Sequence, residues 1–235
     1  MIAYLLEIRQ RVIRTMIFFA FVLAVCVIFS KSLLTLIITP LLNILPAGET
    51  LIATNIISPL CTPISLAIDA ALLCTAPVFL YHIWRFILPG LYIKEKNIVL
   101  WVVTSSLCLF LTGAMAAFYI ILPWMLSFFK HSTPAGVHFV PEMNSAVDFI
   151  THMLFLFGIC FQIPLLCPVL ARTGVITPEG LKKIRPYVIV AAFIFGMLIT
   201  PPDVTSQIIV AIPCCLLYEL GIFLAQRVTG KMLQE

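Results

Sequence analysis

Residues 81–97 read YHIWRFILPGLYIKEKN, a short polar island between two long apolar runs. An aromatic-rich helix end leads into Pro89-Gly90. That pair stops helices, because proline lacks a donor and glycine accepts the terminating conformation. A single acid, Glu95, then stands between Lys94 and Lys96. On both sides of the island the chain is apolar over lengths that call for lipid as solvent. It is 62% hydrophobic and 10% charged, with a mean hydropathy of +1.15, whereas a soluble domain is about 25% charged. The apolar runs are continuous, unlike the alternating segments of about 10 residues in a spanning β-barrel. The fold class is therefore an all-α polytopic membrane protein. The 235 residues hold about six spans of roughly 20 residues each, with no room for an ordinary soluble domain.

The expected spans are 15–38, 64–88, 98–125, 148–172, 187–200 and 206–226, forming one transmembrane domain over 1–235. Arg9, Arg11 and Arg14 precede the first. That span is too long for a cleaved signal peptide, and no Ala-X-Ala site follows it. Lys31, near its far end, is expected to snorkel to the headgroups. Residues 39–63, with four prolines and no Lys or Arg, read as an outer loop, and 126–147 as a second. Trp101 and Trp124 fall at interface depth. Pro164 and Pro168 predict a bend in the fourth span. The fifth span is only roughly 21 Å long, against a hydrocarbon core of about 30 Å. Pro201-Pro202-Asp203 turns it straight into the sixth, so the fifth and sixth helices are expected to be short.

Charge sets the orientation. Twelve of the fourteen Lys and Arg fall on the side of the N-terminus when the loops alternate, leaving Lys31 and Lys130 opposite. The positive-inside rule then places both termini in the cytoplasm. The net charge of +4 reflects this topology and does not argue for nucleic acid. No internal repeat of the kind that builds many secondary transporters is visible.

Few polar residues interrupt the spans. Asp69 reads as an interfacial acid or a functional one, given the penalty for burying charge deeper. Gln162, mid-span, needs partners for its amide and reads as interhelical glue or as a functional group. Glu219, about two turns from the cytoplasmic end, reads as paired or functional. The eight cysteines show no Cys-X-X-Cys spacing, and seven lie in spans, where Cys acts as a small apolar residue. No metal site, disulfide framework, phosphate loop or nucleophile elbow is legible, so no cofactor and no enzyme activity are expected. Glu7 and Glu95 stand at the same membrane face beside Arg9, Lys94 and Lys96. Such acids suit a basic ligand, because a guanidinium binds carboxylate bidentately. They also suit a solvated juxtamembrane charge mix.

Motifs along nearly the whole chain carry a resemblance. They are Leu6-Glu7-Ile8-Arg9-Gln10-Arg11, Thr62-Pro63-Ile64, Ala76-Pro77, Leu80-Tyr81-His82-Ile83-Trp84-Arg85-Phe86 and Pro89-Gly90-Leu91-Tyr92 with Glu95. Gly113, Leu122-Pro123, Phe161-Gln162-Ile163-Pro164 and Arg185-Pro186-Tyr187 follow. Thr200-Pro201-Pro202-Asp203-Val204, Ser206-Gln207 and Leu217-Tyr218-Glu219 complete the set. In this order they resemble the TatC family, the multispanning subunit of the twin-arginine protein translocase.

The resemblance implies an inner-membrane protein that recognises twin-arginine signal peptides. It also implies assembly with single-span TatA- and TatB-type partners, in several copies, to export folded proteins on the proton-motive force. It assigns Glu7 and Glu95 to the arginine pair, Arg9 to holding the amino-terminal site, and Phe86, Pro89, Leu91 and Tyr92 to shaping it. Asp203 and Gln207 would lie near a partner-helix site, with Gln162 and Glu219 as further polar intramembrane positions. Many family members carry Glu where this chain has Gln162, so a titratable acid is missing there. The alternative is a small-solute or ion secondary transporter. That function calls for a mid-membrane ionisable pair or broken helices, and neither is clear in the sequence.

Overall fold

A computed structural model describes residues 2–42, 51–53, 56–91, 96–132, 140–200 and 203–232. Among the described residues the chain is helical throughout, with a lone parallel bridge between Ile52 and Glu142. The helices are α1 (Ile2–Ile28), α2 (Ser30–Leu42), α3 (Ser58–Leu91), α4 (Lys96–Ala116) and α5 (Leu122–Ser132). There follow α6 (Met143–Cys160), α7 (Ile163–Arg172), α8 (Pro178–Ile199) and α9 (Val204–Met232). Among the described residues, five stretches are long and apolar enough to cross a membrane: Ile8–Ile28, Ser58–Arg85, Leu100–Ser132, Met143–Arg172 and Val204–Val228. Large apolar side chains such as Phe21, Ile28, Trp101, Trp124 and Leu198 stand exposed on these helices and on α8. Lipid accepts such a surface, and helices satisfy their own backbone there.

Helix bounds differ from the expected spans in ways the chain's breakers mostly explain. The first apolar run is divided at Phe29, so 15–38 is shared between α1 and the shorter α2. Helix α3 passes through Pro89-Gly90 and ends at Leu91, slightly beyond the expected stop. A π-helical turn at Ala117–Ile121 precedes Pro123. Widening the ladder there accommodates a residue that cannot donate. The bend expected in the fourth span is a break at 161–162, with Pro164 in the first turn of α7. Proline fits that position, because no bond is asked of its nitrogen. Gly174, at φ 73°, follows the end of α7 in the left-handed conformation that terminates helices. Helix α8 starts at Pro178 because the Thr177 hydroxyl accepts from the Gly180 amide at 3.1 Å, an N-cap. The apolar residues 187–199 therefore ride on a longer helix with a basic first half. The sixth helix exceeds its expected bounds: α9 has 29 residues, and its apolar part is a full 25.

Residues pack in two units. The first comprises Met1–Ile87 and Phe118–His152. In it, Ala67, Ala70 and Ala71 of α3 meet Cys26, Phe19, Val22 and Leu23 of α1. Small side chains let these helices approach closely, as helix pairs in lipid require. The second unit comprises Leu88–Ala117 and Met153–Glu235. Its core gathers Cys167, Leu181, Tyr218, Ile222 and Ala225 from α7, α8 and α9. A crossing of α4 with α6 depends on two glycines. A Cβ on Gly113 would come within 2.6 Å of the Phe157 carbonyl oxygen, and one on Gly158 within 2.6 Å of the Phe110 ring.

Candidate functional site

Arg9 and Arg11 lie on α1, and Arg9 is exposed. The Arg11 guanidinium donates to the His82 carbonyl oxygen at 3.2 Å. This bond ties the amino-terminal half of α1 to α3 within the first unit. Glu7 occupies the helical turn before Arg11, and its side chain lies outside the described residues. Along α3, Arg85 bonds the Tyr81 hydroxyl and covers its ring, 5.6 Å from the centroid. Tyr81 and His82 meet edge-on at 5.3 Å, and Trp84 is buried. These groups form an aromatic and cationic collar before the end of the helix. Phe86, Pro89 and Leu91 belong to its last turns, with side chains outside the described residues. Tyr92 and Glu95 lie outside the described residues altogether.

The polar intramembrane positions are better defined. Gln162 is buried and doubly bonded to Ser106: it accepts from the hydroxyl at 2.6 Å and donates to the carbonyl oxygen at 3.0 Å. Both atoms of the amide are thus used, and the group joins α4 to the break between α6 and α7. Of the two readings the residue type allowed, interhelical glue is the one the geometry fits. Glu219 pairs with Arg185 at 2.6 Å, joining α9 to α8. The neighbouring Tyr218 hydroxyl donates to the Leu181 carbonyl oxygen at 2.7 Å. Asp203 accepts from the Ser206 amide at 2.8 Å. That contact makes it the N-cap of α9, where its charge also meets the positive end of the helix dipole. Gln207, half-buried, lies against Gly196: a Cβ there would sit 3.5 Å from the Gln207 backbone.

Sequence reasoning did not find Ser106, the Arg11–His82 contact or the pairing of Arg185 with Glu219. Nor did it find a polar string in the first unit. There Thr62 donates to Asn144 at 3.2 Å, and Asn144 donates to Asp148 at 3.3 Å. Asp69 accepts from Thr151 at 2.9 Å, so it is bonded to a neighbouring helix, not simply solvated. Each member is an ordinary polar residue, and only the partner, 82 positions away in two of these bonds, gives it meaning.

The family model described as "Sec-independent protein translocase protein (TatC)" matches residues 3–213. The chain belongs to the TatC family. It is 42% identical to TatC of Haemophilus influenzae over 226 residues, covering 96% of this chain and 88% of that protein. Against TatC of Escherichia coli K12 it is 38% identical over 231 residues, covering 98% and 90%. A crystal structure of the twin-arginine translocase receptor TatC superposes with a TM-score of 0.88 at 35% identity, covering 96% of this chain and 99% of that one. A second, in DDM, gives 0.86 at 34% identity, covering 94% and 99%. The protein is accordingly a multi-pass component of the bacterial inner membrane and a translocase subunit, not an enzyme. The alternative of a solute or ion transporter has no support among these relatives.

Proposed function

We propose that this TatC-family subunit is the receptor for twin-arginine signal peptides and the scaffold on which single-span TatA- and TatB-type partners assemble. Folded cargo would then be exported on the proton-motive force by a complex holding several copies of the chain. The reading places six spans in lipid, over 15–38, 64–88, 98–125, 148–172, 187–200 and 206–226, with both termini cytoplasmic. Its support is the charge asymmetry of the loops together with the α8–α9 pair, whose short apolar fifth segment returns the chain to its starting side.

Glu7 and Glu95 receive the two guanidiniums of the signal peptide. Arg9 holds the amino-terminal site, and Phe86, Pro89, Leu91 and Tyr92 shape it. The observation that carries this reading is the Arg11 bond to the His82 carbonyl oxygen, which ties α1, one turn after Glu7, to the aromatic end of α3. Carboxylates held at such a surface bind a planar guanidinium through paired bonds, which an ammonium cannot match. Asp203 and Gln207 stand at the outer end of α9, beside the site for a partner helix. Gln162 and Glu219 are further polar intramembrane positions, bonded to Ser106 and Arg185.

Site-specific photocrosslinking from position 95 tests the assignment. An arginine-pair signal peptide is expected to crosslink strongly and a lysine-pair version weakly. Glu95→Ala should insert normally yet abolish export of a twin-arginine reporter. Equal crosslinking of the two peptides, or normal export by the variant, would remove the receptor role.

A further inference from the structure

Two thiols meet in the interior of the second unit. Sγ of Cys214 lies 3.3 Å from Sγ of Cys160, and the two residues are only 5% and 9% exposed. A disulfide has sulfurs about 2.05 Å apart, so closure asks them to approach by roughly 1.3 Å more. The helix is irregular beside each thiol. Cys160 is the last residue of α6, directly before the break at 161–162. Cys214 follows Pro213 inside α9, where the missing proline N–H removes one bond of the ladder. Cys160 thus adjoins a helix break, and Cys214 a missing ladder bond. Cys215, beside Cys214, is more exposed and has no such sulfur contact among the described bonds.

We propose that Cys160 and Cys214 are an oxidisable dithiol within the membrane, closed to a disulfide by an uncharged, lipid-permeant two-electron oxidant. In the step both S–H bonds break and one S–S bond forms. Two electrons and two protons pass to the oxidant. With a diazene, the N=N bond becomes the N–N bond of a hydrazine carrying both hydrogens. Burial selects the oxidant, since a charged reagent meets the full penalty of entering the apolar interior. The new bond joins the last turn of α6 to α9, two residues from the Gln162 contact with Ser106.

The test uses the full chain in native membranes and does not depend on export. Membranes are treated with diamide, an uncharged diazene, or with tetrathionate, a dianion. Free thiols are blocked with N-ethylmaleimide in denaturant. The protein is then reduced, labelled with isotopically heavy maleimide and digested for mass spectrometry. Diamide is expected to place the heavy label on Cys160 and Cys214 together, and unreduced samples should yield the linked peptide pair. Tetrathionate should leave both with the light label. C214S should return Cys160 to the light form, while C215S should change nothing. Persistent light label on both positions after diamide, or a link from Cys160 to Cys215, would overturn the proposal. Equal oxidation by tetrathionate would overturn its restriction to lipid-permeant reagents. The wild-type peptide readout holds even if a serine variant is poorly inserted.

Discussion

Gln162 shows how a residue acquires its role from its partner. A buried amide is costly unless both of its ends are bonded, and Ser106 bonds both. Gln162→Ala removes both of these bonds. The expected loss is about 1–3 kcal/mol, read as a lower thermal midpoint in detergent. Gln162→Glu keeps the acceptor for the serine hydroxyl and, when protonated, restores a donor to the carbonyl. The variant thus retains at least one of the two bonds, so it should be more stable than Gln162→Ala and should still export. A midpoint for Gln162→Glu below that of Gln162→Ala would show that the pocket does not tolerate an acid. That Gln162 needs partners follows from its chemistry and was legible in the sequence. The identity of the partner was not, since Ser106 lies 56 positions away.

Helices in this chain are set by local signals and joined by small contacts. Asp203 starts α9 as its N-cap. Asp203→Ala should cost about 1 kcal/mol, whereas Asp203→Asn keeps an acceptor and should cost little. Crosslinking from the outer end of α9 to a single-span partner separates cap from charge. Retained crosslinking in Asp203→Asn with loss in Asp203→Ala makes the cap the working feature, and loss in both makes it the charge. Gly113 works by its lack of a side chain. Any Cβ there would press on the Phe157 carbonyl oxygen at 2.6 Å, and a backbone atom cannot rotate away. Gly113→Ala should destabilise by about 1–3 kcal/mol, measured as reduced abundance and a lower thermal midpoint. A neutral outcome would mean that α4 and α6 can slide apart freely. The break before Pro164 and the turn into α9 at Asp203 were readable, because proline and capping residues act on their own neighbours. The division at Phe29 was not, since no glycine or proline marks it.

For the whole molecule, orientation in the membrane is the property most open to a direct check. Cys61 is native, exposed and near the start of α3, on the side assigned to the outer face. A membrane-impermeant maleimide applied outside spheroplasts should label it. A cysteine placed at 173, between α7 and α8, should label only when the cytoplasmic face is opened. The reverse pattern, or labelling of both from one side, would undo the assigned topology. Composition alone established helices in lipid, because no other solvent accepts 62% hydrophobic residues in continuous runs. The order of motifs established the TatC family, because each motif holds its residues in sequence.

What the sequence determined by itself were the properties each residue carries wherever it is: hydropathy, charge, caps and breakers. Tertiary structure alone decided which polar groups bond one another: Gln162 with Ser106, Glu219 with Arg185, Asp69 with Thr151 and Arg11 with the His82 carbonyl oxygen. The reason is physical. A donor or acceptor withdrawn from water, into protein or lipid, must find a partner, and any of many polar side chains is chemically adequate. Only the packing of distant helices brings one of them within about 3 Å of the group that needs it.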